Sequence, residues 1–234
     1  MAGTSAPRAV VLTTALSFAV ALCALVTAAV LRNGDSAPAS AGGATTTAAA
    51  SYSGCGDEPC RVLASAMVNG MPVELLADSR GGTGRLRAGG PSSGTTAETT
   101  ITGMGVRLNH DSLRCVEIAT PVCLVRGPHD GGMAGELHIW RGDGWASAER
   151  PYFSDAGSIT LDDAAGDAAP EVIVVRHDCG RAGEVSQCRR APVLAEVYDL
   201  RGQLVGCTAG FDSPGQLRGW PEVDLAADEV GACS

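Results

Sequence analysis

Lysine is absent from this chain, and aromatic residues are scarce. All 17 basic residues are arginine, and aromatic residues make up 4% of the 234 residues. From residue 55 onward the chain has 25 acidic residues and 15 arginines, a formal net charge of −10. An acidic chain without basic clusters excludes nucleic acid and anionic lipid headgroups as expected partners. The exclusive use of arginine, together with abundant alanine and glycine, indicates a GC-rich bacterial genome.

Signals for enzymatic chemistry are also sparse. No H-E-x-x-H motif occurs, and without lysine there is no S-x-x-K motif. His177 and Asp178 follow an apolar run, but the sequence ties no serine or cysteine to them. A hydrolase needs a nucleophile, a base and an oxyanion site within mutual reach. The sequence therefore predicts a protein that is not an enzyme, with a degenerate hydrolase of the cell envelope, or a modulator of one, as the alternative.

Residues 9–31 form a long apolar run without a charged residue. These 23 residues lie between Arg8 and Arg32. A helix rises about 1.5 Å per residue, so a helix of this length can cross a hydrocarbon core roughly 30 Å thick. The run predicts a transmembrane helix or signal anchor, preceded by a short cytoplasmic tail at 1–8. The alternative is a signal peptide cleaved near Ala-Ser-Ala at 39–41, which would release a secreted protein.

Cysteine usage indicates where the rest of the chain lies. Residues 32–54 are small and polar and predict a flexible linker, and eight of the nine cysteines follow it. An even number of cysteines in one domain favours disulfides and an oxidising compartment, and no C-x-x-C pair suggests zinc. We therefore expect a single-pass protein of the cell membrane with residues 55–234 outside. Proximity in sequence favours the pairs Cys55–Cys60, Cys115–Cys123 and Cys179–Cys188, and the two cysteines that remain would pair as Cys207–Cys233, a hypothesis among the 105 connectivities that eight cysteines allow.

The region 55–234 consists of short, β-branched runs between glycine, proline, aspartate and asparagine, which predicts an all-β domain. Three of its segments resemble one another: VELLADSRG at 73–81, GELHIWRG at 135–142 and AEVYDLRG at 195–202. Each has a glutamate near its start and ends in Arg-Gly. An apolar strand precedes each segment, and candidate third and fourth strands follow. We predict three four-stranded repeats, at about 60–120, 121–171 and 172–234, that bury the faces between them.

The predicted fourth strands and the aligned glutamates complete this repeat. The fourth strands would be TTITGMGV at 99–106, SITLDD at 158–163 and PEVDLAA at 221–227. Glu74, Glu136 and Glu196 occupy the same place in the three segments, which favours a polar row that points outward.

The sequence LDDAAGDAAPEVIVV at 161–175, followed by LAEVYDLRG, resembles the FG-GAP (VCBS-like) repeat of integrin-type β-propellers. In that family an Asp-rich calcium loop leads into an apolar strand. The resemblance implies a propeller-like array, with a β-prism or β-sandwich as alternatives. Its calcium-binding positions fall on Asp163, Asp167 and Glu171, while alanine stands at one ligand position and one glycine position. The chain as a whole resembles a membrane-anchored secreted protein of a high-GC bacterium.

The segment ELHIWRG suggests a second candidate site. Alternation places Leu137 and Ile139 on one face and Glu136, His138 and Trp140 on the other. If the first face is core, the second offers an aromatic ring beside polar groups, a surface suited to sugar. The alternative is that Trp140 packs between adjacent repeats.

The sequence thus predicts a tethered binding or cell-surface module of unknown ligand. Eight residues before the apolar run are too few for a cytoplasmic signalling domain. The expected partner is a protein or a cell-wall glycan, and no cofactor is expected other than a weakly bound calcium ion.

Overall fold

The computed structural model describes residues 54–90, 94–181 and 185–233, and these residues form an all-β domain, as predicted. The predicted cytoplasmic tail, apolar helix and linker lie outside the described residues, apart from Gly54. Among the described residues, no helix is long and apolar enough to cross a membrane. The strands are β1 (Arg61–Val68), β2 (Met71–Ala77), β3 (Gly84–Ala88), β4 (Thr95–Glu98), β5 (Leu113–Val116), β6 (Val122–His129), β7 (Gly132–Arg141), β8 (Gly144–Ser147), β9 (Tyr152–Ser154), β10 (Ile159–Asp162), β11 (Glu171–His177), β12 (Val193–Tyr198) and β13 (Leu204–Cys207).

These strands form three antiparallel sheets whose neighbours follow chain order. Sheet 1 has the order β1-β2-β3-β4, sheet 2 the order β5-β6-β7-β8, and sheet 3 the order β10-β11-β12-β13. Strand β9 pairs with β7 in sheet 2. Short 3-10 helices lie in the connections and near the C-terminus, at Ile101–Met104, Cys179–Arg181, Val185–Arg190, Pro214–Gln216 and Ala227–Glu229.

Turn chemistry explains the hairpins that recur in the sheets. Asn69-Gly70 joins β1 to β2 and Asp130-Gly131 joins β6 to β7, and all four residues have positive φ. Two consecutive positive φ values define the type I′ turn, whose twist matches that of the strands. The two hairpins are therefore specified locally by Asn-Gly and Asp-Gly.

The sequence repeat corresponds to a three-stranded meander in each sheet. The three similar segments run through β2, β7 and β12, and their closing glycines Gly81, Gly142 and Gly202 have φ values of 67°, 65° and 79°. Two of these turns share a side-chain cap. Asp78 Oδ1 accepts hydrogen bonds from the amides two and four residues later, and Asp199 Oδ1 does the same.

The predicted fourth strands and repeat boundaries are wrong. Within 99–106 the chain forms a 3-10 helix at Ile101–Met104, and residues 221–227 contain no strand. The segment at 158–163 does form a strand, β10, but it pairs with β11 and is the first strand of sheet 3. The boundaries near 121 and 171 thus fall inside sheets 2 and 3. The reason is that the acidic loop is the turn of the β10–β11 hairpin rather than a link between sheets.

Three apolar cores place the sheets in layers. The first core joins sheet 1 to one face of sheet 2, and the second joins the other face of sheet 2 to sheet 3. Strand β6 shows the alternation, because Cys123 and Val125 enter the first core while Val122 and Leu124 enter the second. Sheet 2 is therefore buried on both faces.

The C-terminal segment covers the outer face of sheet 3. Leu217, Val223 and Leu225 join strands β11 and β12 in the third core. Two hydroxyl groups hold this segment against sheet 3. Ser158, just before β10, donates from Oγ to Pro221 O at 2.6 Å, and Thr160 in β10 donates from Oγ1 to Val223 O at 2.9 Å. The segment acts as a fourth layer over a sheet that has no further sheet on that side among the described residues.

The structure contains the four cysteine pairs that the sequence predicts. Their sequence separations are 5, 8, 9 and 26 residues, and each pair is at disulfide distance. Cys115 and Cys123 face each other directly across β5 and β6. The longest loop, closed by Cys207 and Cys233, ties the covering segment to the last strand of sheet 3.

Candidate functional site

The acidic loop satisfies its own backbone. Asp163 Oδ1 accepts hydrogen bonds from the amides of Gly166 and Asp167, at 2.7 and 3.1 Å, and its Oδ2 accepts one from Ala168 at 3.0 Å. Glu171 Oε2 accepts hydrogen bonds from the amides of residues 164 and 165, at 2.9 and 3.1 Å. Burial raises the pKa of Glu171, although these two hydrogen bonds oppose the shift. The carboxylates act as caps that fold the turn.

This arrangement does not gather ligands around one point. Across the described residues, only Asp155, Cys179 and Cys188 bring three potential metal-ligand atoms within 4.8 Å of one another. These two cysteines form a disulfide and offer no thiolate. The trio that the resemblance implies, Asp163, Asp167 and Glu171, does not meet that distance, whereas calcium prefers six to eight oxygens at 2.3–2.6 Å. The residues present do not fit the ion in this conformation.

We predict that Asp163 stabilises the turn without calcium. Replacement by alanine removes the acceptor of three backbone amides and should lower the free energy of unfolding by about 1–2 kcal/mol, as for lost helix caps. Asp163→Asn retains one acceptor oxygen and should lose less. The measurement is urea denaturation, with and without added calcium. A clear increase in wild-type stability with calcium, absent in the alanine variant, would overturn the ion-free reading.

Glu136 and His138 lie in the first core rather than on a surface. Glu136 is 1% exposed and His138 is 0% exposed. Glu136 Oε2 accepts hydrogen bonds from the amides of Thr100 and Ile101, at 2.6 and 3.3 Å, and from Thr100 Oγ1 at 3.1 Å. The carboxylate thus caps the 3-10 helix that follows sheet 1 and joins that helix to sheet 2. The predictions of an open face and of an outward row of glutamates are wrong at this position, because both side chains are buried.

His138 connects the carboxylate to a serine on the edge of sheet 2. Its Nε2 lies 3.6 Å from Glu136 Oε1, and its Nδ1 lies 3.3 Å from Oγ of the exposed Ser147. The 3.6 Å separation is too long for a hydrogen bond, and neither atom has another hydrogen-bond partner among the described residues. Trp140 is half-buried against the first core and meets Trp145 edge to face, with ring centroids 5.3 Å apart. Trp140 therefore packs between sheets, which is the alternative that the sequence offered to a ligand-binding role.

We expect His138 to make the fold sensitive to acid. Burial lowers the pKa of His138, while the nearby Glu136 carboxylate opposes the shift. The unfolded chain therefore takes up a proton near pH 6.5 that the folded protein resists, so stability is present above this pH and falls as the pH drops below it. The measurement is the free energy of unfolding between about pH 8 and pH 5. His138→Gln should flatten this part of the profile; an unchanged slope would assign it to other groups.

His177 pairs with a different carboxylate from the one adjacent in sequence. Its Nδ1 lies 3.3 Å from Asp155 Oδ1, and its amide donates to the same oxygen at 2.9 Å. The amide of Asp178 donates to Pro192 O. These contacts of His177 hold the end of β11 against the residue that follows β9. Among the described residues, no hydroxyl group that could act as a nucleophile contacts His177.

A polar cleft lies between the β8–β9 connection of sheet 2 and the face of sheet 3 that carries Arg176 and Tyr198, and we call it the arginine cleft. Its volume is about 380 Å³. The connection from β8 to β9 forms one wall, and side chains of β11 and β12 form the other with the turn that follows β12. The lining residues are Ala148, Glu149, Arg150, Pro151, Tyr152, Arg176, Tyr198, Arg201 and Gly202.

The sequence did not predict this cleft. Arg150 and Arg201 are about fifty residues apart, and no motif links them. Two weak signals were present, the Arg-Gly turn of the third repeat and the grouping of Tyr152 with other aromatics. Only the stacking of sheet 3 on sheet 2 brings these residues together.

No protein-family model, curated protein or solved structure matches this chain in comparisons with known proteins. The resemblance of residues 163–211 to the FG-GAP repeat therefore stays a prediction.

Proposed function

We propose that this chain is a membrane-tethered binding module whose β domain lies outside the cell membrane. Four cysteine pairs within one acidic domain support this compartment, since disulfides persist in oxidising environments. The tether is the apolar run 9–31. This run is longer than the apolar region of an ordinary signal peptide, which favours an uncleaved anchor. In this proposal the three layered sheets are a propeller-like array that presents loops at the sheet ends.

The arginine cleft is the observation that carries the binding function. It concentrates three arginines in a domain whose formal net charge is −10. Loops and strand ends at the edge of a rigid sheet scaffold are common places for ligand contacts. A cell-wall glycan or a wall-associated protein is the class of partner proposed.

The test is co-sedimentation of the purified full chain, in mild detergent, with insoluble cell-wall material from its host. We expect a saturable fraction in the pellet at micromolar protein. A parallel alkaline extraction of host membranes should leave the chain in the membrane pellet. Recovery of all protein in the supernatant of the wall assay would overturn the binding function, and release by alkali would overturn the tether.

A hydrolase of the cell envelope is the second candidate, and one observation favours it. Ser147 Oγ, the His138 ring and the Glu136 carboxylate form a chain of atoms separated by 3.3 and 3.6 Å, the order of a nucleophile, base and orienting acid. Complete burial of His138 opposes this role, because a base must exchange protons with substrate. A fluorophosphonate probe that labels the wild type but not Ser147→Ala would support the hydrolase; absence of labelling in both would exclude it.

A further inference from the structure

The arginine cleft holds three guanidinium groups in different ways. Arg176 is anchored, because its Nε donates to Phe153 O at 2.8 Å and lies 3.3 Å from Glu196 Oε2. Its two Nη nitrogens make no hydrogen bond to the described residues. The side chain of Arg201 is 83% exposed, and its Nε is 4.0 Å from Asp199 Oδ2. Arg150 is exposed on the opposite wall and has no ion pair among the described residues. The cleft thus combines two exposed cations with one that is anchored by the protein.

The two carboxylates beside the cleft accept hydrogen bonds from the protein itself, and the lining contains one further carboxylate. Glu196 Oε2 accepts a hydrogen bond from Tyr198 Oη at 2.6 Å besides its contact with Arg176. Asp199 Oδ1 accepts the amides of the turn at 2.9 and 2.8 Å, which leaves it committed to the backbone. Glu149 is the one acidic residue in the lining. The lining therefore carries three positive charges and one negative charge.

Tyr152 supplies a second and independent observation. The residue is 7% exposed, and its buried hydroxyl has no hydrogen-bond partner among the described residues. The oxygen lies beside the cleft floor, 3.7 Å from where a Cβ on Gly202 would stand. A buried hydroxyl without a partner costs free energy, so this oxygen requires a partner such as a bound ligand. Burial, aided by Asp199, raises the pKa of Tyr152, which keeps the hydroxyl protonated and able to donate.

The neighbouring tyrosine makes the contrast clear. Tyr198 meets Tyr152 edge to face, with ring centroids 5.5 Å apart. Its hydroxyl donates to Glu196, and burial together with this hydrogen bond raises the pKa of Tyr198 to about 12. Of these two phenols in one cleft, one is satisfied within the protein and the other is not.

We propose that the arginine cleft binds an acidic sugar, with the sugar carboxylate held by Arg150, Arg176 and Arg201 and a ring oxygen or carboxylate oxygen accepting the Tyr152 hydroxyl. Guanidinium groups bind carboxylates through paired, charge-assisted hydrogen bonds. Glu149 is an acceptor for sugar hydroxyls, and the mostly polar lining suits a hydroxylated ligand better than an apolar one. A cleft of 380 Å³ falls within the range of small-ligand sites, roughly 300–1,000 Å³. This inference rests on the proposed binding function and names its ligand class.

The first test is a ligand-observed NMR titration of the full chain in detergent with glucuronate, glucose and glucose 6-phosphate. We expect glucuronate to bind at least about tenfold more tightly than glucose, because the neutral sugar leaves the guanidinium groups unpaired. Equal binding of glucuronate and glucose, or no binding of glucuronate, would overturn the proposal. Binding of glucose 6-phosphate in preference to glucuronate would also overturn it, in favour of a phosphate ligand.

The second test uses variants with a matched control. The double variant R150A/R201A should weaken glucuronate binding at least about tenfold, since two charge-assisted contacts are lost. Arg141→Ala is the control, because Arg141 occupies the equivalent Arg-Gly turn of the second repeat but does not line the cleft. Loss of affinity in Arg141→Ala equal to that in the double variant would overturn the assignment of the site.

Tyr152→Phe separates a binding role from a structural one. The substitution removes only the unpartnered hydroxyl, so thermal stability should stay the same or rise while glucuronate affinity falls several-fold. Unchanged affinity would overturn the role of Tyr152. The two proposals also fail separately: if R150A/R201A still co-sediments with wall material like the wild type, the binding function stands and the cleft assignment falls.

Discussion

Replacement of Glu136 by alanine is expected to lower the free energy of unfolding by about 3–5 kcal/mol, because three donors lose their acceptor and each buried donor left unsatisfied costs about 1–3 kcal/mol. The carboxylate is 1% exposed and accepts three hydrogen bonds from Thr100 and Ile101. Without it, the buried amide of Ile101 and the part-buried amide and hydroxyl of Thr100 lose their acceptor, and the 3-10 helix after sheet 1 loses its attachment to sheet 2. The measurement is equilibrium urea denaturation followed by tryptophan fluorescence, which reports Trp140 and Trp145 at this interface.

Two controls make this prediction specific. Glu136→Gln keeps one acceptor oxygen and should lose distinctly less stability than the alanine variant. Glu98→Ala removes a surface carboxylate, 67% exposed, that pairs with Arg85 at 2.7 Å, and such pairs contribute about 0–1 kcal/mol. A loss for Glu136→Ala as small as that for Glu98→Ala would mean that the carboxylate does not join the two sheets.

Loss of the Cys207–Cys233 disulfide is expected to have the second-largest effect. The bond closes a loop with a sequence separation of 26, and loop-closure entropy alone predicts a loss of about 3.5 kcal/mol on replacing both cysteines by alanine. The loop also contains Leu217, Val223 and Leu225, which cover sheet 3. Two backbone hydrogen bonds between Cys207 and Gly231, each 2.9 Å, would remain to hold the segment.

The matched control is the double alanine variant of Cys55 and Cys60. Its loop has a separation of 5, for which the same relation predicts about 2 kcal/mol. Both variants are compared with the wild type by urea denaturation under non-reducing conditions. An equal or smaller loss for the Cys207–Cys233 variant would contradict the dependence on loop length, and would indicate that the C-terminal layer holds sheet 3 without the bond.

The sequence predicted the parts of the fold that depend on near neighbours. Asn69-Gly70 specifies its hairpin because each residue tolerates positive φ, and no distant contact is needed to form the turn. The disulfide pairs were found by proximity because cysteines separated by 5 to 9 residues meet when short loops fold back. The all-β class followed from short runs of β-branched residues that are separated by turn-forming residues.

The assignment of strands to sheets required distant contacts. Strand β10 has an apolar pattern that suits either neighbouring sheet, and its pairing with β11 results from the short acidic turn that Asp163 caps. The fourth-strand pattern at 221–227 does alternate, but its residues cover sheet 3 from outside instead of pairing with an edge. A period of two residues indicates that a segment has two faces and does not identify which face is covered.

Taken alone, the sequence determined the cysteine pairs, the strand-rich class and the repeated hairpin. Tertiary structure decided the roles of individual side chains. Glu136 and His138 alternate with apolar residues and look like a solvent face, yet sheet 1 lies over them and the amides of Thr100 and Ile101 require an acceptor. Arg150 and Arg201 line one cleft because sheet 3 stacks on sheet 2. The physical reason is that backbone conformation depends mainly on local sequence, whereas burial and charge proximity depend on which layers pack together.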